Sequence, residues 1–332
     1  MSETILQNDD ETSITDFRNV LAVCDGRTGD ETTIRLASDV AAQQDGRIAI
    51  MGLVEKPADI GRLARNVDMA PKDIIPRLIS YERKRLAALV SNLPIHTDVE
   101  IDVRHGKPFL EIVRDVIEHD RQLVIKMAED WSGAPARLFT STDQHLLRKC
   151  PSPVWLCQPT AKGSAKTVLA AVDVDLVAAA EPETLRALNE KTLRTAAKIA
   201  EMQGAALHVL HAWDALGEGM VRMWSMAENP QTDVDDYVRS NADQSRVNLQ
   251  SLVASIHDEK FKVEQHSVRG AARDIIPQMV IDLSADILVM GSIARTGIPG
   301  FIIGNTAEDV LNSISCSVIV VKPEGYVSPV KA

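Results

Sequence analysis

Two glycines thirteen residues apart, Gly291 and Gly304, are where this sequence comes closest to a phosphate cradle. Gly291 closes the apolar run "DILVMG", and Gly304 stands just before "NTAEDVLNSI", which reads as a helix. Glycines at the ends of such a loop let backbone N–H groups approach phosphate oxygens, and a helix start adds partial positive charge. Asp25 and Asp173 form a second candidate pair, ending the β-rich runs "NVLAVCD" and "TVLAAVD". Each reads either as a ligand contact or as an Asx turn or helix cap at the strand exit. Lys126 ends "QLVIK", and with Thr140 and Ser141 it offers a third, weaker anion contact. A lysine snorkelling to water at a strand end is the plainer reading there. His145, at the start of "HLLRKC", reads as a solvated helix end. His208 and His211 lie three apart in the strand-like "LHVLHAW" and so point to opposite faces, which argues against a metal pair. No catalytic or metal-binding residue is assigned.

The elements that position these residues come twice. "RHGKPFLEIVRDVIEHDRQLVIKMA" is echoed by "VRGAARDIIPQMVIDLSADILVMGS", and Gly106, Leu123 and Pro159 each precede Gly270, Ile287 and Pro323 by 164 positions. A fixed offset over more than fifty residues indicates duplication, hence two domains of one topology. The expected organisation is a disordered tail over 1–16, domains over 17–159 and 167–323, a polar linker over 160–166 and a tail over 324–332. Extra length in the second copy falls around "LVAAAEPETLRALN". Phe109, Ile112, Val113, Val116 and Ile117 mark one face of a helix, and Ile275, Ile276, Met279, Val280 and Leu283 repeat it. Short apolar runs, "QLVIKM", "PVWLC", "DILVMG" and "SVIVVK", lie between the helices. This alternation predicts two doubly wound α/β domains, each with a five-stranded, mostly parallel sheet. The short runs "SPVWLCQ" and "CSVIVVK" read as edges hidden against each other, which makes the chain an intramolecular pseudo-dimer.

Composition narrows the function. The 332 residues carry 36 basic and 47 acidic side chains, a net charge of −11, which argues against broad nucleic-acid binding. No apolar run reaches the roughly 18 to 20 residues of a membrane span. The opening "MSETILQNDDETSITD" is polar and acidic, unlike a secretion signal, so a cytoplasmic protein is expected. Cys24, Cys150, Cys157 and Cys316 match no zinc spacing and read as buried, reduced thiols.

The stretch "FTSTDQHLLRKCPSPVW" of the first copy, and "GSIARTGIPGFIIGNTAEDV" with "SVIVVKP" of the second, resemble the tandem universal stress proteins of bacteria. The resemblance spans nearly all of residues 17 to 328. It implies two fused α/β domains packed like a homodimer of single-domain relatives. It also implies a cytoplasmic role in stress resistance (DNA damage, starvation, oxidative stress) without established catalysis. Nucleotide-binding members of that family carry Gly, two residues, Gly, nine residues, Gly, then Ser or Thr. Against that pattern the second copy keeps Gly291 and Gly304 but has Ala294 and Asn305 at the other two positions, with Thr306 one place late. Asn305 reads as a helix N-cap. Arg295 is the one cation in the loop, beside the apolar Ile298, Phe301 and Ile302. In the first copy Met127, Asp130, Thr140 and Ser141 occupy the four positions, a degenerate site. ATP is therefore a doubtful cofactor, and no other is indicated.

The expected function is a non-enzymatic stress protein that senses a small ligand or binds a protein partner. One alternative is an ATP-binding switch with weak ATPase activity in the second domain. Another is a carrier of an apolar or lipid-like ligand in a cleft lined by the loop and the Met-rich segment around Trp224, with Arg295 and Asp173 as polar anchors. Ordinary packing is the plainer reading of Trp224.

Overall fold

The computed structural model describes residues 16–26, 28–128, 141–158, 164–177, 179–225, 230–256, 262–292 and 304–331. In the first domain β1 (Asn19–Cys24), α1 (Asp30–Ala42) and β2 (Arg47–Val54) are followed by α2 (Ile60–Asn66), α3 (Pro71–Ser91) and β3 (Asp98–His105). Then come α4 (Pro108–His119), β4 (Leu123–Met127), α5 (Ser141–Lys149) and β5 (Val154–Cys157). The second domain repeats the plan with β6 (Thr167–Ala171), α6 (Pro182–Gln203), β7 (Ala206–Trp213), α7 (Glu218–Trp224), α8 (Pro230–Ile256) and β8 (Val263–Arg269). It ends with α9 (Ala272–Asp282), β9 (Ile287–Gly291), α10 (Asn305–Leu311) and β10 (Ser317–Val321).

The ten strands form one continuous sheet in the order β3-β2-β1-β4-β5-β10-β9-β6-β7-β8. All pairings within a domain are parallel, as the helical crossovers require. The two halves meet antiparallel at β5 and β10, with Trp155 opposite Ile319. Those two residues are 164 apart, so the pseudo-twofold axis passes through their pair. The hidden-edge expectation is met by direct strand pairing, which removes two open edges at once.

Central strands read as unbroken apolar runs because helices cover both faces. On one face α1, α3, α6 and α8 bury Ile34, Leu86, Leu188 and Leu249. On the other α4, α5, α9 and α10 bury Ile112, Leu146, Ile276 and Val310. Each such side chain contributes about 1.5–3 kcal/mol when taken out of water. The spacing-derived helices appear as α4 and α9, while "NTAEDVLNSI" is helical only over Asn305–Leu311. No helix among the described residues is long and apolar enough to cross a membrane. All four cysteines are buried and free.

Candidate functional site

In each domain the chain leaves the first strand towards one side of the sheet and returns on the other. The switch point, where open α/β sheets bind ligands, lies between β1 and β4 and between β6 and β9. In the second domain Ala171 pairs with Met290, so Asp173 and Gly291 leave their strands side by side.

Asp173 organises the exit from β6. Its N–H donates to Asn189 Oδ1 at 3.0 Å, Asn189 Nδ2 donates to its carbonyl at 2.6 Å, and Asp175 N–H donates to its Oδ1 at 3.3 Å. The last of these is the Asx turn that was one of the two sequence readings. His211, buried, places Nδ1 3.2 Å from the Val172 carbonyl and 3.9 Å from Asp173 Oδ1. Asp173, Asn189 and His211 thus form a polar cluster at the switch point, with Asn189 and His211 buried and Asp173 part-exposed.

Gly291 borders that cluster, and its glycine identity has a packing cause. A Cβ at this position would stand 2.7 Å from Leu188 Cδ2 and 3.0 Å from Leu188 Cγ, and Leu188 is 3% exposed. Beyond it, Ser292 N–H donates to the Val321 carbonyl at 3.0 Å, and Gly304 N–H donates to the Ser292 carbonyl at 3.3 Å. Gly304 is the N-cap of α10, at φ −58°, with no side-chain capping bond. The expectation that Asn305 caps the helix is therefore corrected: Asn305 is the first helical residue, and its exposed side chain and that of Thr306 lie beyond the capping position. Ala294, Arg295, Ile298, Phe301 and Ile302 lie outside the described residues.

The first domain solves the same contact in reverse. Gly29, at φ +128°, is the N-cap of α1, and a Cβ on it would meet Met127 Cε at 2.7 Å. Strand register aligns β2 with β7 at an offset of 159, which makes Gly29 the counterpart of Leu188. Met127 is the counterpart of Gly291. One contact is therefore filled from opposite sides, Gly–Met in the first domain and Leu–Gly in the second.

Asp25 is positioned by a neighbour that sequence reasoning missed. Asp30 accepts from the N–H groups of Asp25 and Gly26, both at 3.2 Å, and from Arg85 Nη2 at 2.6 Å. Burial lifts the Asp30 carboxyl above its ordinary range, and the Arg85 contacts counter part of that rise. Asp30 corresponds to Asn189, so both domains tie the strand exit to the helix that follows.

Lys126 neither snorkels nor faces an open anion site. Its Nζ donates to the Met127 carbonyl at 2.9 Å and to Asp143 Oδ1 at 3.1 Å, and its side chain and that of Asp143 are 1% and 0% exposed. The reason is α5, which covers the strand end and delivers Asp143 to it. Thr140 lies outside the described residues, and Ser141 enters them only as the first backbone position of α5. His145 is likewise not a freely solvated helix end: its ring packs 4.4 Å from that of Phe109, and burial followed by Lys149 and Arg148 lowers its pKa.

Packing does not account for the Met-rich segment. On α7, Met220, Met223 and Trp224 are 51%, 75% and 69% exposed. The nearby cleft between α7 and α8 is lined instead by Trp213, Glu218, Arg239 and Arg269. His208 and His211 do face opposite ways, but His208 meets His266 of β8, a partner that spacing within one strand could not show.

The model of the family described as "Universal stress protein family" matches residues 16–158 and again 166–322. The chain belongs to the universal stress protein family. It is 30% identical to Universal stress protein E of Escherichia coli K12 over 325 residues, covering 95% of this chain and 97% of that protein. It is 29% identical to the protein of the same name from Salmonella typhi, with the same coverage. A putative universal stress protein structure from Pseudomonas aeruginosa superposes with a TM-score of 0.64 at 23% identity, over 94% of this chain and 95% of that one. One from Archaeoglobus fulgidus gives 0.57 at 17% identity, over 92% and 98%. Both structural likenesses concern the fold. The tandem relatives place this universal stress protein in the stress response.

Proposed function

We propose that this tandem universal stress protein acts without catalysis, in the cytoplasm, by binding a small ligand or a protein partner at the second domain's switch point. The supporting observation is Leu188 over Gly291. The glycine that the family's nucleotide pattern places first is occupied by a buried leucine, and the first domain fills the same contact with Met127. Part-exposed Asp173, held by the buried Asn189 and His211, remains beside it as the candidate recognition group, with Gly304, Asn305 and Thr306 at the start of α10. The four buried thiols fit a reducing compartment.

ATP is then a weak ligand. Ala294 and Asn305 each replace a phosphate-contact position, at about 1–3 kcal/mol apiece, so the affinity falls roughly 30-fold to 10⁴-fold. Calorimetry with ATP and Mg²⁺ is expected to give a dissociation constant above about 10 μM. A tighter constant would favour the ATP-switch alternative. Restoring Ala294→Gly together with Asn305→Ser is expected to strengthen binding. The exposed Met220, Met223 and Trp224 favour a second reading, a carrier of an apolar ligand. Native mass spectrometry of gently purified protein separates the readings, since a retained acyl compound, a retained nucleotide and a bare chain differ in mass.

A further inference from the structure

Each position of one domain can be compared with its counterpart in the other. On the outer part of the first half-sheet, Glu100 and Asp102 of β3 are neutralised by guanidinium groups. Arg121 Nη2 lies 3.3 Å from Glu100 Oε2, and Arg104 Nε lies 3.0 Å from Asp102 Oδ2. Arg121 is itself fixed by Asp115 at 2.9 Å, with both side chains buried. At the offset of 164 the second domain has Glu264 for Glu100, His266 for Asp102, Ala285 for Arg121 and Met279 for Asp115. Across the strand pair, Ala49 faces Glu100, whereas His208 faces Glu264. The carboxylate is kept, its guanidinium is gone, and two imidazoles have arrived.

The three side chains converge. His208 Nδ1 lies 3.0 Å from His266 Nε2 and 3.6 Å from Glu264 Oε2, and all three ligand atoms fall within 4.8 Å of one another. A tetrahedral ion with bonds of about 2.0–2.1 Å holds neighbouring ligand atoms roughly 3.3 Å apart, between the two measured separations. One proton on either ring accounts for the contact between the two imidazoles, whereas Glu264 Oε2, at 3.6 Å, stands beyond hydrogen-bond distance of His208 Nδ1 and is left to an ion or to water. Lys262 Nζ stands 3.3 Å from the other oxygen, Glu264 Oε1, and opposes a cation there, but its side chain is 85% exposed and can swing away. Paired strands hold the ligands from behind, and exposed Glu264 leaves the outer side open to a water ligand.

We propose that His208, Glu264 and His266 bind a divalent transition-metal ion of the zinc class on the β7–β8 edge, outside the switch-point site. Two imidazoles and a carboxylate are a donor set that suits zinc and not calcium or magnesium. The test uses the full chain, with any purification tag removed, titrated with Zn²⁺ by calorimetry and native mass spectrometry. One ion per chain is expected, and Co²⁺ in its place should show the visible absorption of a four-coordinate site. His266→Ala and Glu264→Gln should each weaken Zn²⁺ binding by roughly 10-fold or more. Ala285→Arg, which restores the first domain's guanidinium without removing a ligand, should weaken it too. Far-UV circular dichroism checks that each variant is folded, and exposed Glu264→Gln decides if a buried change unfolds the chain. Failure of the intact protein to bind at about 100 μM Zn²⁺, or equal binding by folded Glu264→Gln, overturns the assignment.

Discussion

Leu188→Ala and Gly291→Ala together test whether Gly291 serves packing or ligand approach. Gly291→Ala alone puts a methyl carbon 2.7 Å from Leu188 Cδ2, closer than side-chain carbons tolerate, and Leu188 is buried with little room to retreat. Overpacking of this kind costs about 1–3 kcal/mol. The backbone adds no strain, because Gly291 ends a regular β-strand paired with Val321. Leu188→Ala alone removes a buried isobutyl group and leaves a cavity, at about 2–5 kcal/mol. In the double variant the methyl added at position 291 enters space that Leu188 vacated, so most of the clash disappears. The pair should then be less destabilised than the sum of the singles by about 1–3 kcal/mol. Urea unfolding of the full chain, followed by far-UV circular dichroism, reads this from midpoints provided the slope is constant across the set. Additivity within about 0.5 kcal/mol would refute the packing explanation. Gly291 would then regain its reading as a backbone approach to phosphate, and with it the ATP switch.

Three further outcomes are expected. Asp143→Ala should destabilise, by up to about 3–5 kcal/mol, by removing a buried carboxylate that Lys126 contacts, whereas Lys126→Met with Asp143→Ala, the pair found as Met290 and Ala307 in the second domain, should cost less than Asp143→Ala alone in thermal unfolding. Burial lowers the Lys322 pKa from 10.5 to about 8, so between those values the unfolded chain holds more protons and this residue's contribution to stability rises with pH, by on the order of 3 kcal/mol in total. The buried thiols, whose pKa values burial raises, pull the opposite way. The measurement is therefore the difference between Lys322→Met and wild type, which should favour the variant at pH 7 and shrink by pH 10; a constant difference would contradict the assignment. Residues 161–332 expressed alone should unfold at lower denaturant than the whole chain, since β10 becomes an open edge; equal stability as a monomer would show that the seam contributes nothing.

Much of this fold is legible in the sequence, because the second halves of the domains kept their lengths. The offset of 164 places α4 against α9 and β4 against β9 without any structure. The first halves differ: α6 has 22 residues where α1 has 13, and the offset drifts to 159 at β7 and 148 at β6. That drift conceals the correspondence of Gly29 with Leu188 and of Asp30 with Asn189, so the packing cause of Gly291 cannot be read from spacing. Lys126 defeats sequence reasoning for another reason. A lysine at a strand end reaches water unless a later helix covers it, and Asp143 becomes its partner only through tertiary contact. His266 is invisible in the same way, since the register of β7 with β8 is a long-range property.

The seam between the domains shows what fusion permits. In an isologous homodimer each cross-interface contact must be made twice by the same two residues. Here Arg148 Nε donates to Glu308 at 2.9 Å, and Tyr326 donates to the Arg148 carbonyl at 2.6 Å. Lys322 reaches the Leu147 carbonyl beneath the Tyr326 ring. The pseudosymmetric positions hold different residues: Asn312 for Arg148, Gln144 for Glu308 and Gln158 for Lys322. Gln158 makes its own bonds, its N–H to Ser317 Oγ at 3.0 Å and its side-chain amide to the Ser315 carbonyl. Each contact is thus made once, by residues that have no obligation to suit both sides of a twofold axis. The same freedom explains the rest of the chain. One domain places a charged pair, Lys126 and Asp143, where the other is apolar, and closes its switch point with methionine where the other uses leucine. The second domain replaces a guanidinium network on its outer edge with imidazoles. A single shared sheet holds the two in register, so either can diverge chemically while the backbone of both stays fixed.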